Sequence, residues 1–387
     1  MEIYLVGGAV RDALLGLPVQ DRDWVVVGST PDEMTALGYL PVGRDFPVFL
    51  HPDTGEEYAL ARTERKTARG YRGFAIHADP GVTLAQDLMR RDLTINSIAI
   101  STMNAPAIGI KGLKKDDLSL LIDPCGGQND LRDRVLRHVT DAFREDPVRV
   151  LRLARFAARF PDFSVAPDTA RLMQQMVADG EVDALVPERV WQELARGLVA
   201  VQPSRMLTVL NDCGALRQLL PEVDTSPDGL AALDLAAQLN APLTVRFACL
   251  CQGLDHATVK RVCERWRVPV DCRELADVVA REHGNVHRSS EFNPAAVVRL
   301  LERCDAFRKP ARFAEVLLAC ECDARSRGSL QDQPYPQRPQ LLGALAAAQA
   351  VATQPIATAA LAAGCQGPQI GELIHAARVQ AVAAAAA

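Results

Sequence analysis

The sequence predicts an α+β protein, with a small mixed β-sheet head over residues 1–140, an all-helical neck and body over 141–224, and a helical C-terminal region over 225–387. Three observations carry this expectation. Short β-rich runs separated by turns crowd the first 140 residues, helical periodicity takes over from Pro147, and Ala and Leu dominate thereafter. A chain of 387 residues can bury a sizeable core and divides into more than one domain. The net charge of −5 argues against blanket nucleic-acid affinity, so any such partner must meet a local basic surface. No apolar run is long enough to cross a bilayer and the N-terminus carries no signal-peptide pattern, so the expected location is the cytoplasm. The ten cysteines are scattered; Cys249/Cys251 and Cys320/Cys322, each two apart on an expected helix, do not share a face and read as buried, reduced thiols.

Taken in order, residues 3–6 form an apolar strand that runs into Gly7-Gly8, and this turn opens a short helix over 9–15. A second strand, 24–27, follows Asp21 and Asp23, and further strands are expected at 48–51, 58–62 and 94–101. Residues 63–82 include Glu64-Arg-Lys-Thr-Ala-Arg-Gly-Tyr-Arg-Gly, too rich in Gly and charge for a buried element, and are expected to be a mobile loop. Residues 111–117 read as a polar surface insertion. Helices are expected at 148–160, 169–178, 187–199 and 203–210, with Pro at or near their starts. The remainder reads as weaker helix, ending in an Ala-rich tail over 382–387 that is expected to fray.

The chemistry concentrates near the N-terminus. Asp21 and Asp23 open a strand, and residues two apart on a strand point to the same side. Two carboxylates held together are costly unless cations lie between them. A pair of Mg²⁺ ions is the natural answer, because hard carboxylate oxygens suit Mg²⁺ and Mg²⁺ also holds substrate phosphates. The Gly7-Gly8 turn lets backbone N–H groups approach phosphate at a helix N-terminus. Phosphate cradle plus metal pair implies nucleotidyl transfer.

Two further constellations support it. Arg90-Arg91-Asp92-Leu-Thr-Ile-Asn96 offers arginines for a triphosphate, with Asp92 and Asn96 able to meet a ribose hydroxyl or a neighbouring turn; a basic helix C-terminus is the alternative. Glu145-Asp146-Pro-Val-Arg149-Val-Leu-Arg152 places Asp146, Arg149 and Arg152 at helical spacing on one face, either as a solvated charge stripe or as a base reader. An Asp acceptor beside an Arg donor would accept cytosine (N4, N3) and adenine (N6, N1) alike. Uracil and guanine reverse that order and would leave buried polar groups unmet at about 1–3 kcal/mol each. Such a protein edge could choose C and A with no nucleic-acid template.

These residues resemble a class II CCA-adding enzyme of the bacterial type, a tRNA nucleotidyltransferase of the DNA polymerase beta superfamily. The resemblance rests on Leu5-Val-Gly-Gly-Ala-Val-Arg-Asp12, Asp21-x-Asp23, Gly43-Arg-Asp-Phe-Pro-Val-Phe49, Arg90-Arg-Asp-x-Thr-Ile-Asn96, Asp123-Pro-x-Gly-Gly127 and Glu145-Asp-Pro-x-Arg-Val-Leu-Arg152. It continues through Pro187-Glu-Arg-Val-Trp191 and Leu210-x-Asp-Cys-Gly-Ala-Leu216. It implies a head, neck, body and tail, and addition of C, C and A to a tRNA 3′ end from CTP and ATP with release of pyrophosphate. By the same resemblance Asp21 and Asp23 match the metal-binding carboxylates, and Gly8 and Arg11 the triphosphate contacts. Arg91, Arg149 and Arg152 match the nucleotide-binding arginines, and Asp146 with Arg149 the base-reading pair. Glu57 is a further candidate for an acidic group. The tRNA surface is expected on the neck, where Arg132, Arg134, Arg137, His138, Arg144, Arg155 and Arg159 concentrate positive charge.

Many gamma-proteobacterial relatives carry a C-terminal metal-dependent phosphohydrolase module marked by an adjacent His-Asp pair. Here Gln252-Gly253 stands where that pair is expected, and the stretch before it, 221–244, looks shortened. Asp255-His256 has the wrong order, and His283 and His287, though at i, i+4 spacing, are expected to lack acidic partners. The expectation is a degenerate module without phosphohydrolase activity. Rival readings are a bacterial poly(A) polymerase, an A-adding or CC-adding tRNA enzyme, or a non-catalytic RNA-binding protein.

Overall fold

The computed structural model describes residues 1–42, 47–66, 74–77, 79–101, 121–327 and 333–386. The expected 111–117 insertion, and residues 43–46 of the glycine-containing motif, lie outside them. The chain divides into two compact units, Met1–Glu193 with Arg205–Leu219, and Leu194–Ser204 with Leu220–Ala387. The expected boundary at 140 therefore falls inside the first unit, and the one at 224 lies five residues past Leu219.

The first unit holds the sheet. Its strands are β1 (Glu2–Val6), β2 (Asp23–Val27), β3 (Leu40–Val42), β4 (Val48–Leu50), β5 (Glu57–Leu60), β6 (Thr63–Lys66), β7 (Phe74–His77), β8 (Ala99–Ser101), β9 (Leu121–Ile122), β10 (Val135–Leu136) and β11 (Ser164–Val165). Seven of them form one mixed sheet in the order β3-β4-β5-β2-β1-β8-β9, and β6 and β7 pair by themselves. Within this seven-stranded sheet only β2 and β5 run parallel, in the register Asp23↔Glu57 and Val25↔Ala59; β10 and β11 form a separate parallel pair. Apolar β-branched runs such as Val25-Val26-Val27 suit a sheet covered on both faces. Val6, Val25 and Ala99 pack one face against Val82, Leu84 and Leu88, while Trp24 stacks on Tyr58 on the other, with ring centroids 5.5 Å apart.

Two expectations change here. Residues 63–82 were expected as a loop, yet 63–66 and 74–77 form an antiparallel pair; residues 67–73 and 78 lie outside the described residues. The strand expected over 94–101 is shorter, because Thr94–Asn96 is a 3₁₀ turn and the strand begins at Ala99. Local side-chain hydrogen bonds explain the turn: Ser97 Oγ donates to Leu93 O at 3.0 Å, and Asn96 Nδ2 donates to Asp92 Oδ1 at 3.0 Å.

The helices that frame the site are α1 (Gly8–Leu14), α2 (Pro31–Ala36), α3 (Leu84–Met89), α4 (Gly127–Asp133) and α5 (Val148–Arg159). They are followed by α6 (Pro167–Ala178), α7 (Pro187–Leu198), α8 (Pro203–Asp212) and α9 (Ala215–Leu219). Thr83 caps α3 in a capping box with Gln86. Asp123 of Asp123-Pro-x-Gly-Gly127 caps α4, accepting from Gly127 N and Gln128 N at 2.8 Å each. Gly127 allows a close approach, since a Cβ there would lie 2.2 Å from Thr94 O.

The second unit is helical. It comprises α10 (Pro227–Gln238), α11 (Leu243–Leu250), α12 (His256–Arg265), α13 (Val270–His287), α14 (Pro294–Arg303), α15 (Pro310–Ser326), α16 (Gln337–Gln349), α17 (Thr353–Ala362) and α18 (Gly367–Ala386). Ser226, Asp255 and Asn293 cap α10, α12 and α14. Its core includes Phe247, Leu275, Val298, Phe313 and Val316, all fully buried. All ten cysteines are free thiols, eight of them buried. Among the described residues no single helix is long and apolar enough to cross a membrane.

Candidate active site

A cavity of about 650 Å³ in the first unit gathers almost every predicted site residue. Gly7, Gly8 and Arg11 come from the turn into α1; Asp21, Asp23 and Glu57 from the ends of β2 and β5; Arg91, Asp92 and Asn96 from the segment after α3; and Asp146, Arg149, Arg152, Arg155 and Arg159 from α5 and its approach. Residues as far apart in sequence as Gly7 and Arg159 thus face one space.

The acidic edge differs in detail from the expectation. β2 begins at Asp23, so Asp21 belongs to the extended segment before it rather than to the strand. Both still line the cavity. Asp23 is paired in register with Glu57 on the parallel strand β5, so the two side chains leave the sheet on the same face. Burial raises the Asp23 carboxyl above its ordinary range; Arg91 pulls it down and Asp21 pushes it up. Asp21 and Asp23 stand side by side at the solvent-accessible wall of the cavity, and two neighbouring hard carboxylates there fit divalent cations. Among the described residues no group of three or more His, Cys, Asp or Glu could ligate a metal, so remaining ligands would have to come from substrate oxygens or water.

The glycine turn is shaped for close approach. Gly7 has φ +71°, and a Cβ there would lie 3.0 Å from Arg91 Nη1; a Cβ on Gly8 would lie 3.5 Å from Arg11 Nη2. Arg11 lies beneath the turn, only 3% exposed. Its Nη1 donates to Asn96 Oδ1 at 2.5 Å, its Nε donates to Asp12 Oδ1 at 2.9 Å, and its guanidinium covers Phe156 and Phe160. Arg11 supports the turn from below.

Asp92 and Asn96, expected at a ribose, are bound within the protein. Asp92 accepts from Leu93 N (2.8 Å), Asn96 Nδ2 (3.0 Å) and Arg152 Nε (2.8 Å). Burial opposes its ionisation, but Arg152, the Asn96 amide and Arg149 outweigh that, and the carboxyl is held far below its ordinary range. These residues join α5 to the 3₁₀ turn.

Asp146 was expected on the helix face with Arg149 and Arg152; it lies before α5, which starts at Val148, and accepts from Val148 N at 3.1 Å. Its two carboxylate oxygens accept from Arg189 Nη1 and Nη2 at 3.0 and 2.6 Å. Such a fork is geometrically specific. Arg149 Nη1 donates to Ala142 O at 2.8 Å.

The residues expected on an RNA surface are all ion-paired or hydrogen-bonded. Arg132 meets Asp133, Arg134 meets Asp162, Arg137 meets Asp130 and Asp168, and Arg144 meets Asp179. His138 bonds Thr169 Oγ1 at 2.7 Å. Arg155 and Arg159 line the cavity instead, paired with Glu193 at 2.5 Å and Asp12 at 2.8 Å.

Sequence reasoning gave no role to Asp12, Asp87, Arg189 or Glu193. Asp87 could have been found, since Asp87-x-x-Arg90-Arg91 is i, i+3 and i, i+4 spacing on a helix. Arg189, 43 residues from Asp146, offers no local signal.

In the second unit, Gln252 and Gly253 line a smaller cavity of about 230 Å³ with Asp224, Asp228, His283, Asp323 and Arg327. One expectation is corrected: His287 does have an acidic partner, Asp323, at 2.9 Å, and Tyr335 completes the contact at 2.9 Å. A carboxylate on another helix, 36 residues away, was not visible from i, i+4 spacing alone. His283 bonds Val279 O at 3.0 Å.

Residues 3–137 match the family described as the Poly A polymerase head domain, and 162–226 the probable RNA and SrmB-binding site of polymerase A. A multifunctional CCA protein of Polaromonas naphthalenivorans is 63% identical over 424 aligned positions, which cover 100% of this chain and 99% of that protein. At least 37 of those positions, the excess of 424 over 387, carry no residue of this chain. In solved structures, a CCA-adding enzyme complexed with ATP matches with a TM-score of 0.69 at 22% identity, over 98% of this chain and 86% of that one. The Thermotoga maritima CCA-adding enzyme complexed with tRNA matches with a TM-score of 0.66 at 22% identity, over 98% and 86%. Identity of this order over the full length of both chains, together with a head family placed on the glycine turn and the aspartates, shows that the chain belongs to the family of the multifunctional CCA proteins.

Proposed function

We propose that this enzyme adds C, C and A to the 3′ end of tRNA from CTP and ATP, releasing pyrophosphate, at the cavity described in the first unit. The observation that carries the reading is the convergence of Asp21, Asp23, the glycine turn, Arg91 and the Asp146–Arg189 fork on one space. Asp21 and Asp23 would hold divalent metal, Mg²⁺ by oxygen hardness, with substrate oxygens or water completing its shell. When bound, such a metal pair lowers the pKa of the attacking hydroxyl and neutralises the departing pyrophosphate.

The chain's own residues do the rest. Gly7 and Gly8 let the triphosphate approach the backbone, and Arg91 and Arg152 present N–H groups to its oxygens. Asp12, Asp92 and Glu193 hold Arg11, Arg152 and Arg155 in place before substrate arrives, so little reorganisation is needed during transfer. Asp146, fixed by Arg189, and Arg149 read the base edge. The poly(A) polymerase reading shares the head, but the full-length relative at 63% identity is named a CCA protein. Loss of phosphohydrolase activity is supported by Gln252-Gly253 at the expected His-Asp position.

The test is incubation with tRNA lacking its 3′ trinucleotide, Mg²⁺ and each labelled triphosphate separately and together. Incorporation of two C and one A, then arrest, supports the reading. Unlimited A addition, or none, overturns it.

A further inference from the structure

We propose that Asp87 is the positioning residue for Arg91: its buried carboxylate fixes the guanidinium against the glycine turn and keeps it from Asp23. The proposal rests on the nucleotidyl-transfer reading and deepens it.

Asp87 lies on α3 with its side chain fully buried. Its Oδ2 accepts from Arg91 Nη2 at 3.1 Å, and its Oδ1 accepts from Arg90 Nη2 at 2.6 Å and Nε at 3.0 Å. It also accepts from Arg62 N at 3.4 Å, two residues past β5. Burial opposes its ionisation, but Arg91 and Arg90 outweigh that and lower its pKa. It stays charged at neutral pH.

Arg91 depends on this contact. Its Nε is buried without a hydrogen-bond partner among the described residues, and its Nη1 lies at the long distance of 3.5 Å from Asn96 O. The same Nη1 is 3.0 Å from where a Gly7 Cβ would be. One end of the guanidinium is therefore anchored by Asp87, and the other lies across the turn. Arg91 and Asp23 line the same cavity. Two carboxylates compete for one arginine, one buried behind it and one at the proposed cation site. Without the Asp87 charge the balance moves to Asp23, and Arg91 would compete with the metal there. No nucleotide contact by Asp87 is needed for this effect.

The test uses the full-length chain as Asp87→Asn, Arg91→Ala and the double variant, with Arg152→Ala alone and combined with Asp87→Asn as a parallel cycle. The readouts are kcat and KM for CTP and ATP on tRNA lacking its 3′ trinucleotide, over a Mg²⁺ titration. Expected is a fall in kcat/KM on the order of tenfold for both nucleotides in Asp87→Asn, and a higher half-saturating Mg²⁺ concentration. Both effects vanish in the Arg91→Ala background and persist in the Arg152→Ala background. Persistence in Arg91→Ala, or wild-type behaviour of Asp87→Asn, overturns the proposal. So does an Asp87→Asn chain that fails to fold while Arg91→Ala melts normally, because that makes Asp87 structural. Failure of the wild type to incorporate CMP or AMP would instead sink the transfer reading itself.

Discussion

Replacing Asp146 tests whether a protein edge serves as the template. Its carboxylate is held by both Arg189 Nη atoms, at 3.0 and 2.6 Å, and is fixed to the start of α5 through Val148 N. Cytosine N4 and adenine N6 donate to such an acceptor; uracil O4 and guanine O6 cannot. Each buried polar group left unmet costs about 1–3 kcal/mol. That corresponds to roughly 5- to 150-fold in relative incorporation for each mismatch. Asp146→Ala removes the acceptor and strands the Arg189 fork, so the preference for CTP over UTP should fall by about that factor. Asp146→Asn can both donate and accept, and should admit UTP more readily still. Single-turnover incorporation from each of the four triphosphates measures the ratio directly. Arg189→Ala leaves the acceptor in place but unanchored and should erode the same ratio by less. A CTP-to-UTP ratio within about twofold of wild type in both Asp146 variants would refute the idea of a protein template. A uniform loss across all four nucleotides would show that the fork shapes the pocket without reading it.

Asp21→Ala and Asp23→Ala should each abolish addition of both C and A while leaving tRNA affinity by gel shift largely intact; equal loss of binding would mark a structural role. Gly7→Ala forces an L side chain into φ +71°, ψ −128° and toward Arg91 Nη1, so thermal melting should show about 1–3 kcal/mol of strain and kcat/KM should fall, whereas wild-type values would contradict the close approach. Asp92, whose folded pKa is depressed, stabilises the fold fully above the unfolded carboxyl value near about 3.9 and loses that contribution as pH drops below it. Urea unfolding between about pH 6 and pH 3 should therefore show an acid loss that Asp92→Asn flattens; an unchanged slope would mean the Arg152 pair is not formed. Purified protein should lack nickel-stimulated phosphatase activity, and its appearance would reverse the reading of Gln252-Gly253.

Local physics made much of this molecule readable. The Gly7-Gly8 turn, the strand entered by Asp23, and α5 through α8 follow from short-range rules, namely a turn residue before a helix, β-branched runs and Pro at helix starts. The 94–101 segment was misread because its apolar run looks like a strand, while Ser97 and Asn96 hydrogen bonds draw its first half into a turn. The 63–82 segment was misread because charge and Gly spoke against an element whose described parts nonetheless pair as strands.

What the chain's order of residues determined was the set of reactive groups: two aspartates, a glycine turn, and arginines suited to phosphate. What only the tertiary structure decided was which charges oppose which. Arg189 closing on Asp146, Asp12 joining Arg11 to Arg159, and Glu57 standing beside Asp23 link residues 34 to 147 positions apart. An ion pair depends on the three-dimensional separation and desolvation of its members, and neither quantity is encoded in spacing once the partners belong to different elements.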